Sequence, residues 1–310
     1  MHGLTAHTHV SPRRLTFLQA QVQTRADLRK GIFPFAEEML ERDDVLALLE
    51  LRGTSYGLDL RGADLRGTDL SGLDLSGARL GLTQREWLRA TAVQRELAAA
   101  QLQEANLCEA VLSYAALHGV SLIDANLSYA LVEDADLDHC DLSGAKMTEA
   151  MLARTHLRGA RLVDIHAEGA DLSACDLRGA HLARADLTLA NLTGVDLRRA
   201  DLTDANLSGA TLLGGPRLRG AVLTGANLSG AELGGASLVE VVYPGINLRG
   251  ASLDGAYLRG AHLARADLSY ASLRAAQLAG ADLSGADLRH THLDGADLTD
   301  ANLSDALLGG

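Results

Sequence analysis

Ala281-Asp282-Leu283-Ser284-Gly285 repeats a phrase that the chain has already used at Ala63-Asp64-Leu65-Arg66-Gly67 and at Ala125-Asn126-Leu127-Ser128-Tyr129. Each copy places a small residue first, Asp or Asn second, Leu third, a small polar residue or Arg fourth, and a variable residue, often Gly, last. About 47 such units can be counted, with centres from Leu60 to Leu80, from Leu102 to Leu212 and from Leu218 to Leu308. A period of five is neither the helical 3.6 nor the strand period of 2, so neither element runs through it unbroken. A chain that turns a corner in every unit closes a square after four units and stacks each coil on the last at about 4.8 Å. The small residue and the Leu then point inward, and the other three positions face water. The slots fit: 105, 110, 115, 125, 130 and 135 are all Ala, and 107, 112, 117, 122, 127, 137 and 142 are all Leu. The exceptions are larger residues at the small slot (Val120, Ile165, Val195, Val241, Ile246) and odd centres (Val132, Met147, Ala167, Tyr243). Ala167 beside Ile165 reads as volume compensation within one unit.

Over about four fifths of its length the chain resembles the pentapeptide-repeat family, whose A(D/N)LXX units build right-handed quadrilateral β-helices. The resemblance implies an all-β solenoid. At Leu212-Leu213-Gly214-Gly215-Pro216 the centres step by six, which reads as a one-residue bulge that leaves the four faces in register. The domain reading is therefore a tail and helical cap over 1–56, first repeats over 57–80, an inserted helix over 81–101, and the main β-helix over 102–310.

The expected N-terminal cap is a helix from Pro34 to Leu51, with Glu37 and Glu38 near its start, an apolar face of Phe35, Met39, Leu46 and Leu49, and Gly53 as its stop. The first dozen residues, with His2, His7 and His9, read as a disordered tail. In the second interruption, Thr83-Gln84-Arg85-Glu86 is a capping box, Leu82 and Trp87 stand as a hydrophobic staple around it, and good helix formers follow to Ala100. This inserted helix either completes the cap or projects from the solenoid. The role of the Pro34 to Leu51 helix would be to cover the exposed sheet edge at the N-terminal end.

Aromatic content of 3% is too low for an ordinary globular core of 310 residues, but a solenoid needs only a thin Leu and Ala column. The net charge of -12 argues against nonspecific binding to nucleic acid or anionic membranes. No run of 18 apolar residues occurs, and Met1-His2-Gly3-Leu4-Thr5 lacks a signal-peptide core, so a cytoplasmic, bacterial protein is expected. Cys140 and Cys175 fill the inward small slot as buried spacers, while Cys108 faces outward.

Assigning every fourth unit to one face reveals patterns hidden in the linear chain. Asn106, Asn126, Asn206, Asn227 and Asn247 share one face and slot, where stacked amides form a ladder. Arg158, Arg178, Arg198 and Arg219 occupy the slot after Leu on one face in successive coils, and Arg259 continues the line after Val239. They read either as a solvated stripe balanced by Asp176 and Asp196 or as a groove for an anionic partner. Acidic residues gather at Glu133, Asp134, Asp136, Asp138 and Asp141, and again at Asp294, Asp297, Asp300 and Asp305.

Some pentapeptide-repeat proteins resemble B-form DNA in size and charge and bind type II topoisomerases. That resemblance makes DNA gyrase or topoisomerase IV the alternative partner, although no face here is a continuous anionic strip. The histidines mostly fill outward variable slots, and no nucleophile-base pair, phosphate loop or zinc spacing is present. No cofactor, metal or catalytic residue is assigned. The leading expectation is a non-enzymatic scaffold for a protein partner, dimerising through Leu303, Leu307 and Leu308 in the last coil.

Overall fold

The computed structural model describes residues 10–24, 26–36, 38–238 and 246–309. His2, His7, His9, Val239, Val241 and Tyr243 lie outside the described residues. Two compact units are present, Met1–Lys146 and Met147–Gly310.

The same stacking rule builds both units. In the first, parallel bridges join Gln101 to Ser121, Asn106 to Asn126, Val111 to Leu131 and Ala116 to Asp136. In the second they join Asp171 to Asn191, Asp176 to Asp196, His181 to Asp201 and Asp186 to Asn206. Each pair is 20 residues apart, so four units make one coil with a bridge on each of four faces.

The hydrogen bonds explain the period. Leu107 N–H donates to the carbonyl of Asn126 at 2.7 Å, and Asn126 N–H donates to that of Ala105 at 2.9 Å. Ala110 N–H then donates to the Leu107 carbonyl at 3.0 Å, closing a tight turn whose third residue, Glu109, has a φ of 59°. Asn106 Oδ1 accepts Cys108 N–H at 3.2 Å, as Asp171 does from Ser173 and Asp201 from Thr203. The second slot is thus Asp or Asn because only a short side chain reaches the amide two residues on. The amides also stack: Asn126 Nδ2 donates to Asn106 Oδ1 in the first unit, and Asn247 to Asn227 and Asn227 to Asn206 in the second.

The inward slots form the core. Leu107, Leu127, Leu187 and Leu207 are fully buried with Ala105, Ala125, Ala185 and Ala205 beside them. Ile165 and Ala167 are buried together, so a larger first residue accompanies a smaller centre. Cys140 and Cys175 are buried in the small slot, and their thiols donate to the carbonyls of Leu117 and Leu152. Burial pushes the Cys175 thiol up to about 12. At the bulge the pairing step lengthens to 21 residues, from Asp196 to Arg217 and from Asn206 to Asn227, and all four faces of the second unit stay in register.

The helical segments depart from the sequence reading. A helix α1 spans Pro12–Val22, with Ser11 accepting Arg14 N–H at its start. It lies almost wholly beyond the dozen residues read as tail, in a stretch to which the sequence reading assigned no helix. Pro34 does not open a helix: residues 38–40 run extended, Asp64 N–H donates to the Glu38 carbonyl, and Leu40 N–H donates to that of Asp64. Helix α2 begins only afterwards, at Arg42–Arg52, where Asp44 Oδ2 accepts Glu41 N–H. Edge pairing therefore outweighed helix propensity over 38–40. The inserted segment is two short helices, α3 at Gln84–Trp87 and α4 at Ala92–Ala98. The break has its own cap, since Thr91 accepts Gln94 N–H and Gln94 Oε1 accepts Thr91 N–H. Folding back at 88–91 buries Ala90 and Ala98 against Phe33 and Leu82, with Trp87, Leu97 and Leu28 around them. No helix among the described residues is long and apolar enough to cross a membrane.

Replacing Leu187 with Asp places an unpaired carboxylate in this column and is expected to cost several kcal/mol. Asp186→Asn keeps the acceptor for Thr188 N–H and should cost under about 1 kcal/mol. Thermal unfolding of both variants checks the pair, and equal stability for Leu187→Asp would refute the inward assignment. Leu189 has a φ of 58° and is 62% exposed. Leu189→Gly should therefore raise stability by about 1 kcal/mol, which denaturant titration measures.

Candidate functional site

The arginine row lies in the second unit, on the face whose bridges run His156–Asp176, Asp176–Asp196 and Asp196–Arg217. Stacking sets guanidinium groups from successive coils side by side. Arg158 Nε donates to Asp176 Oδ2 at 2.6 Å. Arg178 clamps the same carboxylate with Nε at 2.8 Å and Nη2 at 2.7 Å. Arg198 repeats that fork on Asp196 at 2.8 and 2.6 Å. Arg178 Nε and Arg217 Nη1 stand 3.8 and 3.6 Å from Asp196 Oδ2.

The carboxylates respond to this surplus of positive charge. Desolvation acts to raise Asp176, but hydrogen bonds from Arg178 and Arg158 outweigh it and hold the carboxyl at about 2. Asp196 is lowered in the same way, against desolvation, by Arg198. The Arg198 guanidinium is raised by its bond to Asp196 and opposed in part by Arg178.

An open groove of about 730 Å³ follows the row, lined by Arg158, Arg178, Arg198, Arg199 and Arg219 with the turn glycines Gly179 and Gly220. Arg217 lines an adjoining depression beside the bulge, with Pro216 and Tyr257. Among the described residues, these walls set six guanidinium groups against the carboxylates of Asp176 and Asp196. The arrangement can hold an anion by several charge-assisted hydrogen bonds at once.

Four of the five sequence-chosen arginines meet here. Arg259 lies on the same face but outside the groove. Asp297 is held low chiefly by Thr299 and more weakly by the Arg259 charge. Sequence reasoning missed Arg199 and Arg217 because it followed only the slot after Leu. Searching every outward slot of the same face would have found them. Of the apolar candidates, Leu303 is half-buried, while Leu307 and Leu308 are 51% and 63% exposed.

One histidine departs from the outward assignment. His118 is buried, with its Nδ1 3.2 Å from Asp136 Oδ1 and its ring 4.6 Å from that of Trp87. His139 stacks nearly parallel to Trp87 at 5.8 Å, and the Arg95 guanidinium lies 4.5 Å from the indole centre. Together with Asp138, His118 and Asp136 place ligand-type atoms within 4.8 Å of one another. The Asp136 carboxylate already accepts the Asp138 N–H and faces the His118 ring, which makes the trio a hydrogen-bonded anchor beneath Trp87.

A known family model matches the repeats. Pentapeptide repeats match in 8 copies, over residues 56–81, 97–128, 125–164, 170–209, 205–242, 245–276 and 271–310. The chain belongs to the pentapeptide-repeat family. No match was found among curated proteins. Among solved structures, it is similar to HetL, a pentapeptide repeat protein involved in heterocyst differentiation regulation from the cyanobacterium Nostoc sp. strain PCC 7120. That match has 28% identity over 86% of this chain and 96% of HetL, with a TM-score of 0.39. It is also similar to QnrB1, a plasmid-mediated fluoroquinolone resistance protein, at 15% identity over 74% of this chain and 91% of that one, with a TM-score of 0.29. A third is Rfr23 from the cyanobacterium Cyanothece 51142, at 25% identity over 64% and 96% of the two chains, with a TM-score of 0.16.

The depressed Asp176 carboxyl gives a pH dependence with a definite sign. Its folded value of about 2 lies below the ordinary 3.8, so its stabilisation is fully present above pH 3.8 and is lost as pH falls toward 2. Melting temperatures recorded across that window should fall less steeply for Asp176→Asn than for the wild type.

Proposed function

We propose that this pentapeptide-repeat protein is a non-enzymatic interaction scaffold that holds an acidic protein partner along the arginine groove of its second unit. The observation that carries the reading is the set of six guanidinium groups around two carboxylates in one open groove. Such a row in a chain of net charge -12 concentrates positive potential where the rest of the surface repels acidic partners. The groove is open and lined by arginines and turn glycines, which suits a macromolecular surface better than an enclosed reaction. Cys108, Cys140 and Cys175 are free thiols, which fits the proposed cytoplasmic setting.

Two further roles belong to the same proposal. Residues 38–40, with α1 and α2 behind them, cap the edge of the first coil by pairing with Asp64. Leu303, Leu307 and Leu308 form an apolar contact between two copies of the chain. Sedimentation at micromolar concentration should show a dimer that Leu307→Arg dissociates, and a monomer in both cases would refute the contact.

Poly-glutamate serves as the probe for the groove. Replacing Arg158, Arg199 and Arg219 together with Gln should weaken its binding by roughly tenfold and flatten the salt dependence, with little change in melting because exposed ion pairs contribute about 0 to 1 kcal/mol each. Unchanged binding would make the row a solvated face. A gyrase supercoiling assay with a quinolone tests the alternative partner. Protection that is lost on changing Asp136, Asp138 and Asp297, but kept without the arginines, would replace the scaffold reading with DNA mimicry.

A further inference from the structure

A second cationic cleft lies in the first unit, where its two non-repeating segments meet. One wall is the tight turn at 27–32, in which Asp27 and Ile32 exchange backbone hydrogen bonds. The other is α3 with the start of α4. The space between them is about 1080 Å³, and Leu28, Arg29, Lys30, Ile32, Arg85 and Arg89 line it.

The carboxylates at this cleft are committed elsewhere. Asp27 Oδ1 accepts the N–H groups of Arg29 and Lys30, closing its own turn, and its Oδ2 stands 3.9 Å from Lys30 Nζ. Glu86 accepts two hydrogen bonds from Arg79, at 2.8 and 2.9 Å, and holds the start of α3 through Thr83. By contrast, the guanidinium groups of Arg29, Arg85 and Arg89 make no ion pair or side-chain hydrogen bond among the described residues. That departs from the rule within the repeats, where Arg66, Arg178, Arg198 and Arg289 are each forked onto the Asp two residues before them. Three unclamped guanidinium groups therefore line one cleft, beside the Lys30–Asp27 pair, in a chain whose acidic residues outnumber its basic ones by 40 to 28.

The lining is not purely charged. Ile32 is 42% exposed and Leu28 half-buried, above the small cluster of Phe33, Leu82, Ala90 and Ala98. A lone phosphate would answer the charges but leave Ile32 in water and most of the volume unfilled. We propose that this cleft docks a short acidic peptide segment of a partner protein, with carboxylates on Arg29, Arg85 and Arg89 and an apolar side chain on Ile32. The inference does not rest on the groove of the second unit.

Trp87 packs on His118, His139 and Arg95 and does not line the cleft, so binding is read by calorimetry rather than by its fluorescence. The test titrates the full chain with a short synthetic peptide of alternating glutamate and leucine, using inorganic phosphate as competitor. A saturable heat of binding is expected, its affinity weakened by roughly tenfold in Arg85→Gln with Arg89→Gln, weakened also by Arg29→Gln on the opposite wall, and retained when Arg158, Arg199 and Arg219 are replaced. Wild-type affinity in both cleft variants, no saturable heat in the wild type, or loss of binding only in the second-unit variant would overturn the proposal. Displacement by phosphate at the concentration of the peptide would also overturn it, making the cleft a phosphate site. Melting curves confirm that each variant is folded, and Arg29→Gln carries the test if the Arg85 and Arg89 double variant is not.

Discussion

Backbone pairing between coils is the constraint on which everything else depends. Each unit donates from its Leu to the coil after it and receives from that coil into its small residue, as Leu127 and Ala125 do with Lys146. Those bonds fix the step at one coil, so the side chains between two turns must fit a column of constant width. Ala and Leu satisfy that width almost everywhere. At Ile165 the first residue grows and the centre shrinks to Ala167, whereas Val120, Val195 and Ile246 keep a buried Leu centre.

The turn chemistry then decides the electrostatics. An Asp in the second slot is needed to satisfy the amide two residues on, and an Arg in the fourth slot finds the same carboxylate within reach. Asp-Leu-Arg is therefore a self-neutralising phrase, seen at Asp176 with Arg178 and at Asp196 with Arg198. The groove gains its surplus charge from units that break the phrase. In His156-Leu157-Arg158 and Arg217-Leu218-Arg219 the second slot offers no carboxylate within the unit. The contrast bears directly on function: Arg158 reaches Asp176, which Arg178 already clamps, so the group as a whole carries a net positive charge that a partner meets.

The repeats were legible in the sequence because their structure is local: the period, the inward slots, the amide ladder and the in-register bulge all follow from five residues and their stacking. The arginine row was legible for the same reason, once positions 20 apart were grouped. The rest depended on packing that no period announces. Glu38 to Leu40 has a helical composition and runs extended because an unpaired coil edge at Asp64 lies beside it. The break at 88–91 was visible as a second capping box, Thr91 with Gln94, but Ala-rich flanks masked it. Ser11-Pro12 is a sound start signal for α1, and the polar residues after it hid the one buried contact, Leu18, that holds the helix down. His118 sits in an outward slot by count and is buried because Trp87 arrives from the insertion.

In such a fold the outward slots are nearly free of structural demands apart from the turn itself. A side chain placed in one slot is set beside its counterparts a coil away by the backbone alone, with no loop needed to hold it. A binding row can thus be written one unit at a time, each change costing little while the inward column is kept. The two non-repeating segments of the first unit follow a different logic. There the cationic cleft depends on a turn, two short helices and a shared apolar cluster arriving together. A surface built by stacking tolerates gradual change along its row, whereas one built by docking loses its shape when a single anchor such as Leu82 or Phe33 is lost.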